Sequence, residues 1–318
     1  MKNAKIGTKC VQGGYQAGNG EPRQIPIIQS TTFKYDTGAA MGKLFDLEAS
    51  GYFYSRLQNP TCDTVAAKLA EIEGGTAAML TSSGQAANFF AAFNICGCGD
   101  HIVASSAIYG GTFNLLAVTM KRMGIEVTFV APDCSDDELE AAFRPETKLV
   151  FGETIANPAL NVLDIEKFAN AAHAHGVPLI IDNTFPTPVN CNPIKWGADI
   201  VTHSTTKYLD GHGSAVGGAI IDSGNFDWSK HAEKFPGLVE PDASYHGLSY
   251  AKKFGKRFGL MGAAISDYPE IDALCEYIRG EGQTMSVASF RADSVTPTLV
   301  KSLAESGMQT LTIAPEAG

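Results

Sequence analysis

The sequence predicts an α/β protein whose central sheet is mainly parallel. Between residues 75 and 222, short apolar runs alternate with amphipathic segments. The apolar runs include VPLII and ADIV, which have the length and composition of strands buried on both faces. The amphipathic segments include DDELEAAFRP and DIEKFANAAHAHG, which are typical of helices that cover a sheet. We therefore expect a parallel sheet covered by helices.

An acid and a lysine follow two of these runs at the points where the predicted strands end. Asp182 closes VPLIID, and Lys207 follows ADIV within HSTTKYLDGHG. Ligands of open α/β sheets bind just beyond the carboxyl ends of the strands. An acid and a lysine there suit pyridoxal phosphate, because the lysine can form a Schiff base and the carboxylate can keep the pyridine nitrogen protonated. A lone lysine after a strand is usually only solvated, so the surrounding segments decide the interpretation.

A phosphate site is predicted by two hydroxyl-rich turns. TSSGQAANFFAAFNI indicates a strand end, a turn and a helix that begins near Gly84. The free amides and positive end of a helix start can bind an anion, although such a turn alone is usually just a cap. The candidate phosphate contacts are Ser83, Gly84 and Gln85 in this turn and Ser204, Thr205 and Thr206 after ADIV.

Two more loops offer contacts to a flat cofactor. Tyr109 closes a strand-to-helix loop in HIVASSAIYGG and could stack its ring on the cofactor, although an aromatic there more often only packs. Asn157 follows the apolar run LVFGETIA and could reach a cofactor hydroxyl, although a turn residue before Pro158 is the commoner explanation.

The order of these segments resembles one known family. The segments YSRLQNPT, TSSGQAA, IYGGTFN, GETIANP, IIDNTF and HSTTKYLDGH succeed one another as in the Cys/Met-metabolism family of pyridoxal-phosphate enzymes. The resemblance runs from about Gly7 to about Lys256, and QSTTFKY and FPGLVEPDASYHGLSY favour its sulfhydrylase branch. It implies the large domain of the aspartate aminotransferase-like fold, known as fold type I.

The resemblance also implies a role for each matching residue. Lys207 becomes the Schiff-base lysine and proton shuttle, Asp182 the partner of the pyridinium nitrogen, Tyr109 the stacking aromatic and Asn157 a contact of the phenolic oxygen. The implied phosphate contacts within the chain are Ser83, Gly84, Gln85, Ser204 and Thr206.

Tyr54 and Arg56 match a family motif that reaches into the active site of a neighbouring subunit. The planar fork of an arginine suits a phosphate there. The resemblance thus implies self-association as a dimer or tetramer.

The implied activity is γ-replacement on O-acetylhomoserine. Sulfide or methanethiol takes the place of acetate, and the product is homocysteine or methionine. A cystathionine γ-synthase or γ-lyase type of activity within the same family is the alternative.

Composition and net charge limit the other classes of protein to which the chain could belong. The chain has 318 residues, 44% hydrophobic content and 18% charged residues, which allows a large core and one or two domains. The formal net charge of −10 argues against a nucleic-acid surface. We expect no membrane span and, since MKNAKIGTKC lacks an apolar signal core, a cytoplasmic location.

The sequence fits neither a metal site nor a dinucleotide-binding site. Cys96 with Cys98 and His173 with His175 form close pairs, but neither has a partner pair at zinc-site spacing. We expect no metal. The glycine-rich runs GGAIIDSG and GCGD lack the G-x-G-x-x-G order of a nicotinamide enzyme.

The sequence departs from the family pattern after Lys256. The tail predicts a β-α-β-α-β order, with strands at RFGLMGAAIS, TMSVASF and QTLTIAP and helices from about Pro269 and about Thr298. Over about residues 257–318, and above all in the run that begins SVASFRADSV, it resembles part of the barrel of radical S-adenosylmethionine proteins. Their iron–sulfur cluster needs three cysteines, whereas the tail holds only Cys275, so we expect no cluster and no radical chemistry.

Three parts are therefore predicted: an arm at residues 1–60 that contacts a partner subunit, a cofactor-binding domain at 61–256, and a barrel-like fragment at 257–318 in place of the family's C-terminal domain. In the family that missing domain carries the arginine that binds the substrate carboxylate. A chimera that binds pyridoxal phosphate but is catalytically impaired is thus the alternative from a different functional class.

Overall fold

The computed structural model describes residues 4–46, 48–245, 247–254, 257–260, 275–276, 284–287, 290–291, 296–305 and 313–314. The chain divides into two compact units, Met1–Phe226 and Asp227–Gly318.

A seven-stranded mixed sheet forms the centre of the first unit. Its strands are β1 (Ala77–Thr81), β2 (His101–Ser105), β3 (Glu126–Val130), β4 (Thr147–Glu153), β5 (Leu179–Asp182), β6 (Ile200–Ser204) and β7 (Gly218–Asp222). Their order across the sheet is β1-β7-β6-β5-β4-β2-β3. The five strands from β6 to β3 run parallel, whereas β7 is antiparallel to both β6 and β1. The predicted α/β class with a mainly parallel sheet is confirmed.

The strands form where the sequence is continuously apolar. Every residue of β2 and β5 is buried, and β4 is buried except at Lys148. Such strands are excluded from water on both faces, which explains why they lack an alternating pattern. The predicted runs VPLII and ADIV correspond to β5 and β6.

Helices connect and cover the strands. They are α1 (Ile6–Gln12), α2 (Gly38–Phe45), α3 (Pro60–Glu73), α4 (Gly84–Phe93), α5 (Gly110–Asn114), α6 (Asp136–Ala141), α7 (Ile165–Ala174) and α8 (Thr187–Asn190). A π-helical segment, Leu115–Met120, continues α5. Side chains cap several of them: Asn59 caps α3, Ser83 caps α4, and Ser135 forms a capping box with Glu138 on α6.

A buried polar cluster ties α3 to the ends of β5 and β6. Glu73 Oε1 accepts hydrogen bonds from His203 Nε2 at 3.0 Å and from Asn183 Nδ2 at 3.1 Å, and Glu73 Oε2 accepts one from Asn192 Nδ2 at 3.0 Å. The side chains of Glu73 and His203 are fully excluded from water. Since an unpaired group there would be costly, the cluster fixes how these loops leave the sheet.

The second unit contains short elements. It has α9 (Pro236–Val239), α10 (Tyr250–Phe254) and a helix at Pro297–Glu305. Strand β8 (Arg257–Leu260) pairs in parallel with β9 (Thr284–Val287), and β10 (Phe290–Arg291) pairs in parallel with β11 (Ile313–Ala314). The predicted helix start near Pro269 lies outside the described residues. In the described ranges, no helix combines the length and the apolar character needed to cross a membrane.

Candidate active site

Asp182 lies at the carboxyl end of β5 and is 7% exposed. Its Oδ2 accepts a hydrogen bond from Asn88 Nδ2 at 3.0 Å. Its Oδ1 accepts two from Thr184, from the amide at 3.1 Å and from the hydroxyl at 2.5 Å. Three neutral donors thus satisfy a buried carboxylate that makes no ion pair with a lysine or arginine in the described part of the chain.

Asn88, which the sequence did not single out, connects four elements. Besides Asp182 on β5, its Nδ2 donates to Thr112 Oγ1 on α5 at 3.1 Å. Its Oδ1 accepts from Thr202 Oγ1 on β6 at 2.5 Å. Gln85 Nε2 also donates to Thr112 Oγ1, at 2.9 Å. This network positions α4 against the strand ends, and it directs the Gln85 side chain toward α5.

The first turn of α4 lies directly against the end of β6. A Cβ atom added to Gly84 would come within 2.5 Å of Ser204 Cβ and 2.8 Å of Ser204 Cα. Only glycine permits this approach. Ser83 Oγ accepts from the Ala86 amide at 3.1 Å, while the amides of Gly84 and Gln85 meet no acceptor among the described residues. Two free amides at a helix start beside a serine suit a phosphate group.

Ser204 and Thr206 differ in what their hydroxyls do. The Ser204 amide donates to Thr184 Oγ1 at 2.9 Å, and no hydrogen bond to its hydroxyl occurs within the described ranges. Thr206 Oγ1 donates to the Gly217 carbonyl and accepts from the Gly217 amide, both at 3.1 Å. The Ser204 hydroxyl is therefore available to a ligand, whereas that of Thr206 holds the loop before β7. No hydrogen bond to the Thr205 hydroxyl is seen in the described part of the chain.

Lys207 is exposed and lies in the turn that follows β6. Its amide donates to the Ser204 carbonyl at 3.2 Å. Next to it, Tyr208 packs edge-on against Phe185 with ring centroids 5.9 Å apart, which joins the turn to the loop after β5. Lys207 Nζ forms no hydrogen bond or ion pair with the described residues, so the amine is available to a ligand.

Tyr109 and Asn157 are joined through Glu153, the last residue of β4. Glu153 Oε2 accepts a hydrogen bond from the Tyr109 amide at 2.5 Å, and the Asn157 backbone is near enough to this carboxyl group to lower its pKa. The Tyr109 side chain is 47% exposed. Its ring lies so close to Gly111 that an added Cβ there would be 2.6 Å from the ring.

Glu153 is a site residue that the sequence interpretation missed. It is 4% exposed and is the register partner of Asp182 on the adjacent strand. Burial, and then the nearby Asp182 carboxylate, raise the pKa of Glu153 to about 8 against the opposing effect of the two amides. The sequence did contain a signal for Glu153: it ends the buried apolar run LVFGE in the same way that Asp182 ends VPLIID.

Tyr54 and Arg56 lie in the segment before α3. The Arg56 guanidinium is 5.1 Å from the centroid of the Tyr54 ring, and Tyr54 forms a β-bridge with Thr32. Neither side chain hydrogen-bonds or forms an ion pair with the other predicted site residues in the described ranges. The structure of one chain therefore does not bring them together with Asp182 and Lys207.

The two histidines of α7 and its C-cap have protein partners. His173 Nε2 is 2.8 Å from Asp199 Oδ2, and His175 Nε2 is 2.8 Å from Glu140 Oε1. Cys96 is buried, and burial raises the pKa of its thiol. Within the described residues, no group of three or more potential ligands could hold a metal ion.

Fold and site define a pyridoxal-phosphate type of domain, and comparison with known proteins gives its family. Residues 7–287 match the family described as Cys/Met metabolism PLP-dependent enzyme, and the chain belongs to this family. The match confirms the family resemblance. It also extends past Lys256, where the resemblance was expected to end, and covers β8 and β9.

Two curated relatives illustrate the similarity. The chain is 48% identical over 235 residues to a homocysteine/cysteine synthase from Kluyveromyces lactis, which covers 74% of this chain and 53% of the relative. It is 47% identical over 241 residues to an O-acetyl-L-homoserine sulfhydrylase from Corynebacterium glutamicum, which covers 75% and 55%. The chain thus spans about half the length of these relatives.

Solved structures share the fold. A Campylobacter jejuni protein described as an O-acetylhomoserine (thiol)-lyase, which carries N'-pyridoxyl-lysine-5'-monophosphate, is 36% identical with a TM-score of 0.75 over 78% of this chain and 62% of that one. A cystathionine γ-lyase from Lactobacillus plantarum, complexed with L-serine, is 34% identical with a TM-score of 0.63 over 73% and 57%. These neighbours confirm the predicted fold class.

We predict that Asn88→Leu lowers the free energy of unfolding by about 3 kcal/mol, because it leaves buried oxygens of Asp182, Thr112 and Thr202 without their partner. Urea denaturation measures the effect. Asn94→Leu, at the exposed end of α4, is the control and should change stability by less than about 0.5 kcal/mol. Equal effects of the two substitutions would contradict the assigned network.

The ionisation of Glu153 should make the free energy of unfolding depend on pH. Its pKa is raised from 4.5 to about 8 in the folded chain, so between these values the folded state holds a proton that the unfolded state has lost. The resulting stabilisation is present at low pH and is lost as the pH rises through about 8. We expect the free energy of unfolding, relative to that of Glu153→Gln, to fall by about 3 kcal/mol between pH 5 and pH 8. A difference that is independent of pH would exclude a raised pKa.

Proposed function

We propose that the chain forms the cofactor-binding part of a transferase that replaces the acetate of O-acetylhomoserine with sulfide or methanethiol. The products are homocysteine or methionine, and acetate. The placement of Asp182 and Lys207 at the carboxyl ends of adjacent strands, beside the free amides of α4, carries this proposal. The names of the K. lactis and C. glutamicum relatives support the substrate and the sulfur acceptor.

The residues present fit pyridoxal phosphate. Asp182 would accept from the pyridine nitrogen, and its remaining contacts are neutral donors that hold it in place. The amides of Gly84 and Gln85 and the hydroxyl of Ser204 would bind the phosphate. We assign the ring face to Tyr109 and the phenolic oxygen to Asn157. Thr206 donates both its amide, at 3.4 Å, and its hydroxyl, at 3.1 Å, to the Gly217 carbonyl, so it would serve the phosphate after leaving Gly217.

Bound pyridoxal phosphate supplies an electron sink for the carbanions that form when protons leave Cα and Cβ of the amino acid. Lys207 would bond the cofactor through Nζ in the absence of substrate. Nζ would take the Cα proton, release it and take the Cβ proton, and would return protons to these carbons after sulfur has replaced acetate at Cγ, so that it would act as base and acid in turn. An exposed, unpaired amine on the turn after β6 can reach a substrate for these steps.

Tyr54 and Arg56 are proposed to act across a subunit interface. Their side chains do not bond to the other site residues of their own chain within the described ranges, which supports a role in a partner's site. The chain would then work as a dimer or a larger assembly, with the phosphate of each site held partly by Arg56 of the other subunit.

Three parts of the chain are assigned with this proposal: the arm at 1–60, the cofactor-binding domain at 61–256 and the segment 257–318. The likeness of that last segment to radical S-adenosylmethionine barrels stays a prediction, and the family match covers its beginning, to residue 287.

Borohydride trapping tests the cofactor site. After incubation with pyridoxal phosphate and reduction, peptide mass spectrometry should locate the pyridoxyl group on Lys207, because this exposed amine is the one proposed to bond the cofactor. Lys207→Ala should abolish the specific adduct, and Lys195→Ala, an exposed lysine after α8, should leave it unchanged. An adduct spread over several lysines in the parent chain would contradict a built site.

Subunit complementation tests the donation of Arg56. Arg56→Ala and Lys207→Ala should each be nearly inactive in homocysteine formation from O-acetylhomoserine and sulfide. Mixed after co-refolding, they should regain about one quarter of the parent activity, because half of the pairs are mixed and each mixed pair has one intact site. No recovery would place Arg56 in its own subunit. Cystathionine formation from cysteine in place of sulfide would favour the γ-synthase type instead.

A further inference from the structure

Glu153 is a buried acid at the candidate active site that the proposed chemistry does not use. It is the final residue of β4, and its register partner is Asp182 at the end of β5. Because the strands are parallel, partners in register point to the same face, so both carboxyl groups face the same part of the site. Their proximity raises the question of what Glu153 contributes.

The carboxyl group of Glu153 interacts with the backbone of two separate loops. It accepts a hydrogen bond from the amide of Tyr109, which is 44 residues away in sequence, and the backbone of Asn157 is near enough to lower the pKa of the same group. Tyr109 precedes α5, and its own side chain provides no cap to that helix. The Glu153 side chain is thus a direct connection between the sheet and the start of α5.

We propose that Glu153 is a positioning residue, which holds Tyr109 and Asn157 against the end of β4 so that both face the cofactor ring. This inference rests on the proposed function, because it takes these two residues as the contacts of the ring. Reach is the property that matters, since the carboxyl group must extend to both amides at once. A charge on Glu153 is not required, and a second anion beside Asp182 would be unfavourable.

The raised pKa agrees with this role. With its pKa at about 8, Glu153 is mostly protonated near neutral pH and still offers acceptor lone pairs to the amides. Asp182 then remains the principal negative charge next to the predicted pyridine nitrogen. Of the described titratable groups, the Asp182 carboxylate on β5 is the one whose charge acts on the pKa of Glu153.

Two substitutions separate reach from charge. Glu153→Gln keeps the length of the side chain and an acceptor oxygen but removes the acid, whereas Glu153→Asp keeps the acid and shortens the side chain by one methylene. Each variant is titrated with pyridoxal phosphate to give a dissociation constant. After borohydride reduction, the visible or near-ultraviolet circular dichroism per trapped cofactor reports how firmly the ring is oriented.

Glu153→Gln should keep the dissociation constant within about threefold and retain the dichroism, because its carbonyl oxygen still reaches the amides. Glu153→Asp should weaken binding about tenfold and lose at least half of the dichroism per trapped cofactor, since the shorter side chain no longer reaches the amides. The reverse order would assign the effect to charge and overturn the proposal. Equal dichroism in both variants and the parent would also overturn it.

Asp199→Asn is the matched control. Asp199 is also buried and accepts from a backbone amide, that of Leu179 at 2.8 Å, but at the opposite end of β5. This variant should lower the melting temperature and leave the dichroism unchanged. A parent chain that is not trapped at Lys207 would instead refute the proposed function, so the two failures are distinguishable.

Discussion

The register of three parallel strands is the constraint on which the candidate site depends. Glu153, Asp182 and Thr202 are aligned across β4, β5 and β6. A shift of one residue would turn each of these side chains to the other face of the sheet. The buried apolar residues before them hold the register. The chemistry of the site is therefore set by the packing of the strands that carry it.

Alternation along β5 and β6 places one polar network on each face of the sheet. Asp182 and Thr202 meet Asn88 of α4, whereas the next residues, Asn183 and His203, meet Glu73 of α3. Each network links neighbouring strand ends to the helix that packs over that face. Because buried polar groups are costly without partners, the two networks leave the strand ends little freedom to move. On the Asp182 side, hydrogen bonds to α4 thus fix the end of β5 in the region that would receive the cofactor.

The sequence predicted the parts of the fold that depend on local pattern. Apolar runs gave the strands, and the residues that close them gave Asp182 and Lys207. The turn before Gly84 gave the start of α4. Hydrogen-bond partners that are far apart in the sequence could not be found in this way. Asn88 meets Asp182 over 94 residues, and which helix face lies over which strand is decided by packing of the whole sheet. The direction of β7 is a similar case, since GGAII alone does not state that its strand runs antiparallel to β6.

Asp182 and Lys207, at the two ends of the candidate site, differ sharply in burial. This difference suits the roles that are proposed for them. Asp182 is buried and accepts three hydrogen bonds, whereas Lys207 is exposed and unpaired within the described chain. A carboxylate that must keep a pyridine nitrogen charged is most effective where water is excluded, because its field is least screened there. An amine that must exchange one amino compound for another needs open access. The fold supplies both conditions on adjacent strands, since Asp182 ends β5 inside the sheet and Lys207 lies three residues beyond the end of β6, in a turn at the surface.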